Sequence, residues 1–374
     1  MKKILHVIGS LDVGGAELML KNVVLESASH SGCAHVVVSL TDIGPVGRSL
    51  LDGGITVLAL NTGSLWSRVI LLFRLHKIMK ETRPEIVHTW LYHSDLFGGL
   101  AAKMYGRCKI IWCVRSDDIT KGGSRFTILL RKISAYLSSW LPDKIVCVAN
   151  RTCETHVALG YQANKMLVIH NGFDTERSDS FVNERQVLRA VLNIADDEVV
   201  IASVGRHSPV KDHKTLIAAA ALLLARHNNL RFLLVGRGND LGNLALINAL
   251  RDLEILDRFI LLGERNDVQS CLFASDIFCL HSITEGFPNA LGEAMKAGLP
   301  CVATDVGDAA FILDEPQYVV PPSDPQKLAD ALERIILLGN ADRSRLGARM
   351  RTRIADGFSI ATMVRKYTDL YQAL

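Results

Sequence analysis

Short apolar runs alternate along this chain with longer segments whose apolar positions fall at helical spacing. Lys3–Ile8, Ala34–Leu40, Thr56–Leu60, Glu85–Thr89, Lys109–Val114, Lys144–Val148 and Met166–Ile169 read as strands. Helical patterns lie between them near residues 16–29, 66–81, 94–105, 125–140 and 151–159. Apolar strands separated by helices imply a mostly parallel sheet covered on both faces. The pattern falters across Asp174–Glu198, a polar, charged stretch that predicts an interdomain linker with one short helix around Arg185–Leu192. Alternation resumes at Val199–Val204 and continues through Phe232–Val235, Phe259–Leu262, Ile277–Leu280 and Cys301–Thr304, a second doubly wound domain. A last helix is predicted over Ile360–Ala373, with Ser359 as its N-cap. Two such α/β halves bind ligands at the carboxyl ends of their strands, so the pattern predicts a cleft.

Composition narrows the class. At 374 residues, two domains are the natural expectation. Hydrophobic content of 49% with 22% charged residues is that of a globular protein, and a net charge of +3 is too small to imply a nucleic-acid partner. The eight cysteines are scattered without a C-x-x-C pair, and buried free thiols in a reducing cytosol are the economical reading. The run Met1–Ile8 is broken by His6 and lacks a cleavage-type site, so it reads as a strand rather than a signal peptide. No apolar stretch is long enough to span a bilayer, which points to a soluble or peripheral protein.

The candidate chemistry concentrates in Glu285-Gly-Phe-Pro-Asn-Ala-Leu-Gly-Glu293. Ile277–Leu280 before it is a buried strand, and Ala290 to Ala297 after it is helical, stopped by Gly298 and Pro300. Glu285 therefore falls in a loop at a strand's carboxyl end, and Glu293 about one turn into the helix. The amides of Asn289, Ala290 and Leu291 would form a free helix N-terminus, whose partial positive charge suits a phosphate. A phosphate cradle flanked by two carboxylates that can hold hydroxyls fits a nucleotide diphosphate sugar. Val204-Gly-Arg-His-Ser-Pro-Val-Lys211 adds two cations after a strand end; Arg206 can fork onto phosphate oxygens and Lys211 supplies a compact charge. Gly14 and Gly15 open the first helix and allow close backbone approach. No D-x-D sequence occurs, so a diphosphate would be neutralised by Arg206, Lys211 and helix amides, a metal-independent arrangement.

Gly14-Gly15-Ala-Glu17, Gly205-Arg206 with Lys211, the Glu285–Glu293 segment followed by Ala-Met, and Gly298-Leu-Pro-Cys-Val-Ala-Thr-Asp305 occur in order. Together they resemble the retaining glycosyltransferases of family 4, over nearly the whole chain. The resemblance implies a GT-B fold: Rossmann-like domains over 1–172 and 173–357 facing a cleft, with a terminal helix in 358–374 crossing back to the first. It implies that Glu285 holds donor-sugar hydroxyls and faces the anomeric carbon, and that Glu293 binds the ribose. Arg206 and Lys211 would hold the diphosphate and stabilise its departure. Gly15, Gly286, Phe287 and the amides of Asn289, Ala290 and Leu291 would complete the donor site, with Arg265 packing the base. The donor would be a UDP-sugar or GDP-sugar, with no further cofactor and no metal. Transfer would proceed by front-side attack, with a catalytic burden that is electrostatic and positional.

One departure concerns the acceptor side. Many relatives carry a histidine in the loop after the strand Lys109–Val114, where this chain has Cys113-Val-Arg115-Ser-Asp117. The preceding strand and loop read His88-Thr-Trp-Leu-Tyr-His93-Ser-Asp95, a pattern associated with bacterial polysaccharide and lipid-linked glycan transferases. His93 becomes a candidate catalytic residue, with His88, Asp95 and Arg115 as further acceptor-side candidates; His88 also reads as a core histidine and Asp95 as an N-terminal helix residue. The acceptor would be a glycan or a polyprenyl-linked sugar, met in the cytoplasm or at the inner face of the cytoplasmic membrane. Basic amphipathic segments from Trp66 to Lys80 and from Arg125 to Lys132 suit peripheral contact with anionic lipid, and equally suit helices covering a sheet. A nucleotide-sugar epimerase of the same fold and a non-catalytic nucleotide-sugar-binding subunit are the competing readings. A nicotinamide oxidoreductase is disfavoured by the missing dinucleotide fingerprint.

Overall fold

In its first half the chain runs β1 (Lys3–Ile8), α1 (Gly15–His30), β2 (Ala34–Ser39), α2 (Gly44–Asp52), β3 (Thr56–Ala59) and α3 (Ser67–Thr82). It continues through β4 (Ile86–Trp90), α4 (Leu91–Tyr105), β5 (Lys109–Val114), α5 (Arg125–Leu137), β6 (Lys144–Cys147), α6 (Asn150–Ala158) and β7 (Met166–Val168). These coordinates come from a computed structural model that describes residues 2–30, 32–62, 67–117, 125–175 and 181–374; Trp66 lies outside them. The seven strands pair in the order β3-β2-β1-β4-β5-β6-β7, all parallel. Every residue of β4 is buried, as expected when helices cover both faces.

The second half contains α7 (Phe181–Val191), β8 (Val199–Val204), α8 (His213–Leu224), β9 (Leu230–Val235), α9 (Leu244–Asp252), β10 (Phe259–Gly263) and α10 (Val268–Phe273). It goes on with β11 (Ile277–Leu280), α11 (Asn289–Lys296), β12 (Cys301–Thr304), α12 (Ala309–Leu313), β13 (Val319–Val320), α13 (Pro325–Ile336), α14 (Asn340–Gly357) and α15 (Ile360–Ala373). Its sheet, also parallel, has the order β10-β9-β8-β11-β12-β13. The chain divides into two compact units, Met1–Gly172 with Ile360–Leu374, and Phe173–Ser359.

The short helix expected around Arg185–Leu192 is present as α7, but its segment is not a linker. Arg185 Nη2 donates to Asp276 Oδ1 at 2.7 Å and Arg189 Nη1 to Asp276 Oδ2 at 3.2 Å, so this helix is built into the second unit. Its charges were the reason it looked like linker, and the two arginines are tied to the half-buried Asp276. Residues 176–180 of that segment lie outside the described ones.

The terminal helix α15 belongs to the first unit and buries Met363, Val364, Tyr367, Leu370 and Tyr371 against the sheet and α1. Beneath it runs a chain of buried polar groups whose proton positions follow from one donor-only group. Trp90 Nε1 donates to His6 Nδ1 (3.2 Å), so His6 Nε2 carries the proton and donates to His35 Nδ1 (3.0 Å). His35 Nε2 then donates to Ser27 Oγ (2.8 Å), and Ser27 donates to Val23 O. Burial pushes the His35 pKa down to about 4 and that of His6 well below its ordinary value. The network works only with neutral imidazoles.

Candidate functional site

Each sheet reverses its direction of strand addition once, between β1 and β4 and between β8 and β11. At such a reversal the loops leaving the carboxyl ends part, and a ligand can sit between them. In the second unit those loops are 205–212 and 281–288, and they bring two of the expected residues together. Lys211 Nζ donates to Glu285 Oε1 at 2.5 Å, and Ser282 Oγ donates to the same oxygen at 2.6 Å. Two donors on one oxygen fix the carboxylate and leave Oε2 with no protein donor among the described residues. The loops are clipped to each other by Ile283 N donating to Val210 O (2.8 Å), and to β12 by Thr304 Oγ1 donating to Ser282 O (2.8 Å).

Local backbone chemistry sets Lys211. Asp212 adopts the left-handed region (φ 52°) and caps α8, accepting from Thr215 Oγ1 at 2.7 Å. A Cβ on Gly205 would stand 3.2 Å from Lys211 Cε, so glycine there lets the lysine stem lie against the strand end. Arg206 is exposed and has no side-chain partner among the described residues, which leaves its guanidinium available to an anion. Below the pair, Ser203 Oγ and His281 Nε2 are 2.8 Å apart, and the His213 ring lies 5.1 Å from that of His281. Burial lowers His281 to about 4 and His213 to about 3, so neither adds positive charge to the floor.

Glu293 lies on α11, half-buried, with its carboxyl pKa raised by burial while Lys296 pulls the other way. The amide cradle expected ahead of it needs correcting. Asn289 N donates to Phe287 O (2.9 Å) and Leu291 N to Pro288 O (3.0 Å); of the three amides, Ala290's alone has no acceptor among the described residues. The Leu291 side chain is fully buried. Phe287 is also corrected: its ring stacks on Phe173 at 6.1 Å between centroids and lies 6.0 Å from Phe358, so it is a core plug rather than a donor contact. Gly286 contributes backbone only, and Gly307 (φ 52°) packs so closely that a Cβ there would strike the carbonyls of Glu285 and Gly286. Gly292 makes room for Phe173, the ring on which Phe287 stacks, since a Cβ there would fall on it.

Arg265 follows β10 as expected, yet its guanidinium forks onto Asp267, Nε to Oδ1 at 2.7 Å and Nη2 to Oδ2 at 2.5 Å. What remains for a base is the flat face of the fork, a stacking surface.

In the first unit, Gly15 opens α1 and is exposed. His93 is half-buried on α4, its ring 5.7 Å from that of Phe126. It follows Leu91, a non-glycine residue at φ 71°, a conformation that costs about 1–2 kcal/mol and marks this junction as strained. His88 and Asp95 are corrected. His88 is fully buried and its Nδ1 pairs with Tyr371 Oη at 2.8 Å; burial lowers its pKa to about 3. Asp95 is 1% exposed, accepts from Thr89 Oγ1 at 2.6 Å, and burial holds its pKa well above the carboxylate range. Both serve the core. Arg115 is anchored at the end of β5, 5.5 Å over the Trp90 ring and donating to Asn171 Oδ1.

Ser282, Gly292 and Gly307 escaped sequence reasoning. Ser282 lies three positions before Glu285, but only the fold shows it sharing an oxygen with Lys211; the two glycines act through contacts distant in the chain.

Comparison with known proteins places this geometry. The family described as glycosyl transferases group 1 matches residues 184–353, and glycosyltransferase family 4 matches residues 13–177, so the two span most of the chain. The UDP-Gal:alpha-D-GlcNAc-diphosphoundecaprenol alpha-1,3-galactosyltransferase of Escherichia coli is 29% identical over 307 residues, 80% of this chain and 78% of that one. N-acetyl-alpha-D-glucosaminyl L-malate synthase of Bacillus anthracis is 27% identical, over 76% of this chain and 73% of its own. The crystal structure of Anabaena HepE in complex with UDP superposes over 100% of both chains with a TM-score of 0.84 at 22% identity, a likeness of fold. With both halves matched and the fold shared, the chain belongs to the family 4 glycosyltransferases and has the GT-B fold.

Proposed function

We propose that the protein transfers a hexose or N-acetylhexosamine from a UDP-sugar or GDP-sugar to a glycan or polyprenyl-linked acceptor, in bacterial surface polysaccharide assembly. In this reading transfer retains the anomeric configuration and needs no metal. The observation that carries it is the convergence of Lys211 and Ser282 on one oxygen of Glu285 at the β8/β11 reversal. Glu285 Oε2 is left to accept from a sugar hydroxyl, and Glu293, raised by burial, meets the ribose hydroxyls. Lys211 and the unpaired Arg206 face the diphosphate and stabilise the charge that develops on it as the glycosidic bond breaks. The leaving phosphate takes the acceptor's proton, so no protein nucleophile is required. On the first unit, His93 and Arg115 serve the acceptor, now that His88 and Asp95 belong to the core. The names of the two relatives supply the donor and acceptor classes: one specifies UDP-Gal and a diphosphoundecaprenol-linked sugar, the other an N-acetylglucosaminyl group.

Thermal stabilisation by UDP, GDP, ADP and NAD in the presence of EDTA tests this, with Glu293→Ala beside the wild type. A ligand at a hundred times its dissociation constant adds about 2.7 kcal/mol. Stabilisation by UDP or GDP, weakened in the variant, is expected; stabilisation by NAD alone overturns the reading.

A further inference from the structure

The first unit carries an apolar stripe that stands exposed among the described residues. Leu129, Ile133, Tyr136 and Trp140 follow one another at spacings of four, three and four residues along α5 and the turn that prolongs it. They are 52, 37, 81 and 46% exposed. A helix packed on a sheet normally turns a polar outer face to water; here the outer face carries four large apolar residues. From Arg125 to Pro142 the sequence contains no carboxylate.

Charge gathers beside the stripe. Lys103 reaches over the Trp140 ring (5.7 Å) and donates to Trp140 O (3.3 Å). At the far end of α4, against the end of α3, a pocket of about 560 Å³ is lined by His76, Lys80, Arg83, Met104, Tyr105 and Arg107. None of its lining residues is acidic, and Lys80, Arg83 and Arg107 have no carboxylate partner among the described residues. Arg107 and Lys103 also line the neighbouring 680 Å³ depression with Trp140, so stripe and pocket form one surface. On that surface the acids are already held: Glu81 by Lys77 (3.8 Å), Asp143 by Lys109 (3.1 Å). Glu85 accepts from Lys3 N (3.2 Å). In a chain of net charge only +3, Lys80, Arg83 and Arg107, without carboxylate partners among the described residues, thus adjoin an exposed apolar stripe. Like charges placed together repel unless an anion joins them.

We propose that this face docks on an anionic lipid bilayer, with the stripe entering the interface and the pocket receiving lipid phosphates. A membrane answers both halves of the observation at once: Tyr and Trp prefer the boundary between headgroups and chains, and flanking cations draw anionic lipid. Among the described residues no helix is long and apolar enough to cross a membrane, so contact through this face is peripheral. The proposal extends the transferase reading above by supplying the surface on which a lipid-linked acceptor is met.

Flotation of the full chain with vesicles tests it, using pure phosphatidylcholine against an equimolar mixture with phosphatidylglycerol. The wild type is expected to float with the anionic vesicles only and to be released by high salt. Each surface cation contributes about 1 kcal/mol, or about fivefold, so Lys80→Glu with Arg107→Glu should weaken binding at least about thirtyfold. Leu129→Ser with Tyr136→Ser should weaken it about tenfold or more. These positions are exposed, and unchanged melting temperatures confirm folding. UDP affinity, measured on the same preparations, reports on the nucleotide site, none of whose residues is changed in these variants, so loss of that site and loss of the surface are told apart. A wild type that stays at the bottom with anionic vesicles overturns the proposal. So does equal binding to both vesicle types, or flotation undiminished in both variants. Self-association of the wild type, abolished by Leu129→Ser with Tyr136→Ser and without vesicle binding, would assign the face to a second copy instead.

Discussion

Replacing Glu285 by glutamine should tighten UDP binding while it slows transfer. Lys211 Nζ sits 2.5 Å from Glu285 Oε1, and the two side chains are 21 and 15% exposed, so the pair is largely out of water. An arriving diphosphate must share Lys211 with that carboxylate and also lie near its charge. Glutamine removes the charge and keeps the shape, because Ser282 Oγ, 2.6 Å away, can still donate to the amide oxygen. A partly exposed ion pair is worth about 1 kcal/mol, so freeing Lys211 should lower the UDP dissociation constant about fivefold. Lys211→Met should do the reverse: losing a charge-assisted bond to phosphate costs about 1.5–3 kcal/mol, or about 10- to 150-fold. Turnover of Glu285→Gln should fall by about a hundredfold or more, since an electrostatic contact to the reacting sugar is gone. Isothermal titration calorimetry with UDP and a transfer assay give both numbers. If Glu285→Gln weakens UDP as Lys211→Met does, Lys211 is not the shared cation and the site has been misread.

Gly292→Ala should destabilise the protein by about 1–3 kcal/mol and lower activity with it, because the new methyl meets the buried Phe173 ring behind the helix that carries Glu293. Urea denaturation checks it, and a neutral result would mean that the ring yields freely. His88→Ala should lower the melting temperature clearly through its lost bond to Tyr371, whereas His93→Ala should leave stability alone and reduce transfer. The pH profile follows from the buried histidines. His35 and His281 are lowered to about 4, and His88 and His213 to about 3, from an ordinary value of 6.5. Between those limits the unfolded chain binds more protons than the fold, so stability falls as pH drops from 6.5 toward 4, by up to about 3 kcal/mol per histidine. Asp95, whose pKa is raised, opposes the trend. Urea midpoints at pH 7.5 and 5 should differ strongly, and equal midpoints would show that the imidazoles titrate freely.

The strands were legible because a doubly covered parallel sheet imprints continuous apolar runs; Lys3–Ile8, Lys109–Val114 and Val199–Val204 coincide with the observed limits. The two-residue β13 was too short to leave such a mark; α7 was legible as a short helix, but not as part of the second unit, because its arginines bond Asp276 from far along the chain. At the site, strand, loop and helix around Glu285 and Glu293 followed from punctuation by Gly and Pro. Side-chain destinations did not. Phe287 sits among loop residues that look ligand-facing, yet it packs on Phe173; Asp95 looks like a helix-start carboxylate, yet it is enclosed by Thr89 and Cys113. The amides ahead of Glu293 looked free because the turn formed by Phe287 and Pro288 carbonyls is invisible without coordinates. Such contacts are decided by tertiary packing.

The most direct test of the account is the anomeric configuration of the product. A panel of UDP- and GDP-sugars is incubated with a polyprenyl diphosphate-linked N-acetylhexosamine acceptor in EDTA, and the purified product is read by NMR. A new glycosidic bond with the donor's own α configuration is expected, absent when Glu293→Ala replaces the wild type. An inverted bond, a product formed only when metal is restored, or an isomerised donor with no transfer would contradict it.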